Sequence, residues 1–110
     1  MKVANLKIDD EYIIVDSSED IRSITKKLMT GHYETALVMR NMQVVGSINL
    51  AIILNKIVID GRDPTVTKAE DIMDTNIVKV TLETNLLDVD SEIRRKKPSA
   101  VIVVNEHGAV

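Results

Sequence analysis

The stretch Ile13–Leu28, IIVDSSEDIRSITKKL, recurs 65 residues later as Val78–Ile93, VKVTLETNLLDVDSEI. Few residues are identical, yet the apolar positions coincide. Ile13 and Val15 fall on Val78 and Val80, while Ile21, Ile24 and Leu28 fall on Leu86, Val89 and Ile93. Ala36–Met39 fall on Val101–Val104, and the register Val3–Val45 over Lys68–Val110 needs no gap. A preserved pattern with drifting identities marks two copies of one supersecondary unit. The second copy reaches Val110, the counterpart of Val45, so Gly46 to Ile59 has no partner within the sequence.

Composition bounds what such a repeat can be. The 110 residues make one domain's worth of chain. A half of about 55 residues would bury too little surface to be comfortably stable, which makes the pair the expected folding unit. Phe, Trp and Cys are absent and Tyr occurs only at Tyr12 and Tyr33, so the core is built from Ile, Val, Leu, Met and Ala. Without Cys there is no disulfide frame, thiolate metal site or thiol nucleophile. The start, Met1 to Asn5, lacks the apolar stretch of a signal peptide. The apolar run Leu50–Ile59 is interrupted by Asn55 and Lys56 and is too short to span a bilayer, so no membrane insertion is expected. A net charge of -3 favours solubility and gives no general pull towards nucleic acid. A soluble, cytoplasmic domain is expected.

The pattern predicts the elements in turn. Ile13–Val15 reads as a buried strand, and the Ser and acidic residues of Asp16–Asp20 supply a helix start, with a Ser hydroxyl as the acceptor. Ile21, Ile24 and Leu28 make the apolar stripe of that helix, and Gly31 is expected at its left-handed end. Ala36–Met39 and Val44–Ile48 form a hairpin about Arg40–Gln43. Asn49 caps a helix from Leu50 to Val58 whose apolar residues face more than one way, which predicts burial on both sides. The first repeat is then 1–59, the linker 60–67 and the second repeat 68–110, stopping before its last strand and helix. In that second copy Ile77–Val80 is a strand, Thr84 or Asn85 starts a helix carrying Leu86, Val89 and Ile93, and Ala100–Val104 is the next strand. The unit is β-α-β-β-α, giving an α+β class of tandem βαββα repeats.

No catalytic constellation accompanies this pattern. His32 and His107 occupy different repeat positions with no Cys or paired carboxylate at ligand spacing. No nucleophile elbow, Walker loop or dinucleotide fingerprint occurs, so an enzyme is not expected and no catalytic or metal residue is assigned. Arg94–Lys97 is the one strong charge run. It reads as the cationic end of a helix rather than a phosphate patch, because no aromatic residue accompanies it for base stacking.

Two βαββα copies, the lead-in VTKAEDIM (Val66–Met73) before NIVKV (Asn76–Val80), the VVNEHG turn (Val103–Gly108) and VVGSI (Val44–Ile48) together resemble a pair of CBS domains, the Bateman module. The resemblance implies two repeats packed about a pseudo-two-fold axis, with adenine nucleotides or related adenosyl ligands in the clefts. It also implies a homodimer attached to, or bound by, an effector enzyme, channel or transporter. No cofactor is required; AMP, ATP or S-adenosylmethionine is the expected regulatory ligand. One cleft is then walled by Met73, Val78, Pro98 and Ser99, the other by Ile8, Ile13, Tyr33 and Glu34.

The family's sugar-phosphate motif runs Gly, two apolar residues, Ser or Thr, two residues, Asp, the Asp bonding the ribose hydroxyls. Here Gly46–Ile52 contains Ser47, puts Asn49 at the hydroxyl position and Ile52 at the Asp position. Isoleucine accepts no hydrogen bond, which weakens binding by roughly 1.5–3 kcal/mol if a charged hydrogen bond is lost. Glu34 stands where some relatives offer a cation to phosphate, so it favours a less charged adenosyl ligand. Two other readings stay open. One is a ligand-free dimerisation or assembly module with vestigial clefts; the other is a pair of amino-acid-binding domains of the ACT type, which the Asp71-Ile72-Met73 lead-in weighs against.

Overall fold

The computed structural model describes residues 12–81, 83, 85–98 and 100–104. Ile8, Thr84, Ser99 and the Asn105–Gly108 turn lie outside the described residues, as does the Leu86 side chain. The described chain falls into two compact units that divide between Thr75 and Asn76.

In the first unit β1 (Tyr12–Asp16), β2 (Thr35–Arg40) and β3 (Gln43–Asn49) form a sheet in the order β1-β2-β3. β1 and β2 are parallel, joined by α1 (Ile21–Gly31) as the crossover, and β3 returns antiparallel. Asn41 and Met42, with φ of 51° and 65°, make the two-residue loop whose twist suits a hairpin. One face of the sheet carries Val15, Ala36, Val38 and Ile48, and these pack with Ile21, Ile24 and Leu28 of α1 and with Ile53. Each such large aliphatic side chain contributes about 1.5–3 kcal/mol on burial.

The termini of α1 differ from the sequence reading in an instructive way. Its cap is the Asp20 carboxylate, which accepts from the Ser23 N–H at 2.8 Å, rather than a Ser hydroxyl. Ser18 is instead turned back onto the Asp16 carboxylate, to which it donates from both N–H and hydroxyl. At the other end the left-handed residue is His32 (φ 58°), not Gly31. The Tyr33 N–H donates to the Leu28 carbonyl (2.9 Å), the bond that closes a Schellman turn. Gly31 is needed for another reason. A Cβ on it would lie 2.3 Å from the Tyr33 ring, so the missing side chain is the seat of that ring.

α2 (Leu50–Ile53) begins at Asn49, whose side chain accepts from the Ile52 N–H at 2.8 Å as expected. It continues as π-helical turns over Leu54–Ile59, with the Asp60 N–H reaching back five residues to the Asn55 carbonyl. Within this single chain Leu54, Val58 and Ile59 are 57%, 68% and 76% exposed. The helix buries only the side that meets α1 and the sheet, through Ile53 with Leu50, Ile52 and Ile57.

The segment read as linker and lead-in is stitched to this unit. The Ile21 N–H donates to the Thr67 carbonyl (2.9 Å) and the Arg22 N–H to the Pro64 carbonyl (3.0 Å). α3 (Ala69–Ile72) then buries Ala69 and Ile72 in the same core. In the second unit β4 (Ile77–Val80) and β5 (Ala100–Val103) pair in parallel through α4 (Leu86–Lys96), capped by Asn85. Its described core is small, Val78, Val80 and Val89 with Val103, and Ile93 is 38% exposed where the stripe placed it inward.

Two predictions follow from these turns. His32→Gly relieves a left-handed non-glycine residue and should stabilise the chain by about 1 kcal/mol, whereas Gly31→Ala should lower the melting temperature although alanine is the better helix former. Thermal denaturation of both variants checks this. The Ser18 and Thr65 hydrogen bonds hold the Asp16 and Asp63 carboxyls below the ordinary 3.8. Lowered folded values stabilise above 3.8 and are lost as pH falls through them, so an Asp16→Asn/Asp63→Asn variant should show a shallower acid decline in melting temperature.

Candidate functional site

β1 and β2 both start, and β3 ends, at one end of the three-stranded sheet. Tyr12 pairs with Thr35 and Thr35 with Asn49, so these three form one row across it. Ile13 lies one residue further in, half-buried against the core, in the row of Ala36 and Ile48. Tyr33 and Glu34 immediately precede β2, Tyr33 half-buried with its ring over Gly31 and Glu34 exposed. Ile13, Tyr33, Glu34 and Asn49 are thus neighbours at one sheet end, an arrangement that the linear sequence spreads over 37 residues.

A second grouping lies two residues inward from Asn49. Ser47 is buried in β3, and its N–H and carbonyl exchange two 2.9 Å bonds with the carbonyl and N–H of Asp74. Met73 therefore lies across Gly46. A Cβ on Gly46 would meet the Met73 sulfur at 2.7 Å and the Asp74 carbonyl oxygen at 2.9 Å. The lead-in residue Met73 and the motif residues Ser47 and Asn49 are brought together in this unit. Isolated glycine in a β-branched strand is the sequence signal for such an approach.

Ile52 is half-buried and packs against the core, so the position that lacks a carboxylate serves packing. In the second unit Val78 is buried in β4, and half-buried Pro98 follows the left-handed Lys97 just before β5. A shallow groove of about 370 Å³ runs beside Val78, lined by β4 and by Asp88, Val89, Glu92 and Lys96. Ile8 and Ser99 lie outside the described residues.

The basic run has structural employment. Arg94 pairs with Asp90 (2.9 Å), Arg95 with Glu92 (2.9 Å) and Lys96 with Glu92 (3.4 Å), all on α4. The Asn76 amide caps the helix end, donating to the Lys96 (2.7 Å) and Lys97 (3.1 Å) carbonyls. Among the described residues no three or more His, Cys, Asp or Glu are grouped to hold a metal ion, and no helix is long and apolar enough to cross a membrane.

This fold and its repeat can be set beside known proteins. Residues 69–110 match the sequence model of the CBS domain. That segment is similar to a CBS domain. No curated protein matches the chain. Among solved structures, a cystathionine beta-synthase domain protein fused to a Zn-ribbon-like domain is 28% identical, covering 59% of this chain and 93% of that one, with a TM-score of 0.57. A CBS domain-containing protein of Thermotoga maritima is 22% identical over all of this chain and 84% of its own, TM-score 0.72. A CBS domain protein of Pyrobaculum aerophilum, complexed with AMP, is 18% identical over 98% of this chain and 82% of its own, TM-score 0.75. The likeness in fold to CBS domain proteins therefore extends over both repeats.

Gly46→Ala should force Met73 and Asp74 off β3 and cost about 1–3 kcal/mol, by overpacking. Urea denaturation should show a lower midpoint, and an unchanged midpoint would contradict the close approach.

Proposed function

We propose that the chain is a regulatory ligand-binding module that takes an adenosyl metabolite and performs no chemistry of its own. The observation that carries this reading is the convergence of Ile13, Tyr33, Glu34 and Asn49 at one sheet end, with Met73 and Ser47 two residues inward. Half-buried Ile13 and Tyr33 offer an apolar wall to a flat base, while Asn49 and Glu34 bring polar groups to its edge. The AMP complex of the Pyrobaculum protein supports the choice of ligand class. The module works as a cytoplasmic homodimer that reports ligand occupancy to an effector enzyme, channel or transporter.

One observation favours a second reading. Leu54, Val58 and Ile59 leave an apolar stripe on the last turns of the Leu50–Ile59 helix, suited to assembly without any ligand.

Calorimetric titration with AMP, ATP and S-adenosylmethionine, alongside the mass in solution, separates the two. Micromolar binding of any of them is the expected outcome. A well-folded dimer that binds none of them would leave the assembly reading in place.

A further inference from the structure

Two apolar side chains of the second unit stand open at positions that the first unit closes. Val101 is 42% exposed and Ile93 38%, whereas their counterparts 65 residues earlier, Ala36 and Leu28, are fully buried. Both belong to the face that carries the core. Val101 pairs with buried Val78 and so lies on the same side of the sheet, and Ile93 follows buried Val89 by one turn of α4. The other counterparts do not differ in this way: Val80 and Val89 are buried as Val15 and Ile24 are. In the first unit the cover has two parts. β3 sets Ile48 beside Ala36, and the helix after Asn49 lays Ile53 on the stripe of Ile21, Ile24 and Leu28. Among the described residues no strand pairs with the second edge of β5. Single exposed aliphatic side chains are ordinary on a protein surface, but here the exposure falls on the two positions that β3 and α2 cover in the other copy of the same unit.

We propose that this face of the second unit is a docking surface for a strand–helix segment of another polypeptide, which adds antiparallel to the edge of β5 and lays an amphipathic helix over Ile93 and Val101. The first unit defines the chemistry of the occupant. It has an apolar strand residue facing inward in the place of Ile48, a side-chain cap in the place of Asn49, and apolar helix residues at the spacing of Leu50, Ile53 and Ile57. Main-chain bonds along β5 supply affinity, and the inward apolar positions supply specificity. A second copy of the chain cannot lend its own strand and helix without withdrawing Ile48 and Ile53, which are 0% and 6% exposed, from its core. The inference does not rest on the adenosyl-binding reading.

Calorimetric titration of the full chain with a synthetic peptide copying Gln43–Ile59, made polar on its outward side by Leu54→Glu and Val58→Lys, tests the site. The peptide is too short for a stable helix in water and folds as it binds, so micromolar, one-to-one binding with a raised melting temperature is the expected result. Val101→Asp alters an exposed side chain and should weaken the peptide at least about 10-fold. A peptide carrying Ile53→Asp tests the same contact with the chain intact and should lose binding to the same degree. Ile14→Asp, at an exposed position of the first unit, should leave the affinity unchanged. A folded wild type that does not bind the peptide, or binding that Val101→Asp and the Ile53→Asp peptide leave unaltered, overturns the site. A dimer of the chain that excludes the peptide and dissociates on Val101→Asp makes the second copy the occupant and overturns it as well.

Discussion

Two backbone amides at the start of α1 hold the first repeat and the segment after it in one piece. A helix opens with four N–H groups that have no partner within it. Here the Ile21 and Arg22 groups donate to the Thr67 and Pro64 carbonyls and Ser23 to the Asp20 carboxylate, and Ile24 then makes the first helical bond, to the Asp20 carbonyl. A buried, unpaired donor costs about 1–3 kcal/mol, so displacing the 64–67 turn would expose this helix end to that cost at two places. The same segment returns two bonds, Ala69 N–H to the Glu19 carbonyl and Glu70 N–H to the Ser17 carbonyl. Ten residues after Pro64 it is clasped again, where Asp74 and Ser47 exchange their bonds over Gly46. What reads in the chain as linker and lead-in is thereby a structural part of the first unit.

That stitching explains why the candidate site has the form it does. Met73 is placed against Gly46 because the chain on either side of it is fixed, by α3 in the core and by the Asp74 bonds. The sheet end is fixed by register, since a parallel and an antiparallel pairing meet at Thr35. Tyr33 reaches the edge of this end because Gly31 offers no Cβ to obstruct its ring. The side chains proposed to meet a ligand hang from positions determined by main-chain bonds and close packing, which is the preorganisation that binding requires.

Much of this was legible in the chain. The period-2 and period-3.6 patterns located β1 to β5 and the longer helices, Asn49 announced itself as a cap before an apolar run, and of Thr84 and Asn85 the cap is Asn85. The repeat carried the fold class, since it depends only on hydrophobic positions that burial enforces. What escaped depends on contacts distant in sequence. Gly31 and His32 are both acceptable at a left-handed turn in principle; only the Tyr33 ring decides between them. The apolar stripe Leu54, Val58 and Ile59 is exposed within the single chain, because an apolar side chain says that it can be covered and does not say by what. The π-helical turns have no local signature in Leu54–Ile59, and the clasp of Asp74 on Ser47 joins residues 27 positions apart.

Ile52 shows how packing and recognition compete for one position. It is the third residue of the helix that begins after Asn49, where a carboxylate would face the free amides and the favourable end of the helix dipole. The chain places there a β-branched side chain that joins Leu50, Ile53 and Ile57 against the core. A half-buried isoleucine contributes on the order of 1 kcal/mol of hydrophobic stabilisation, and a charged group in its place would have to be desolvated against the core or pushed outward. The helix start keeps its cap through Asn49, so stability does not depend on a polar residue at 52.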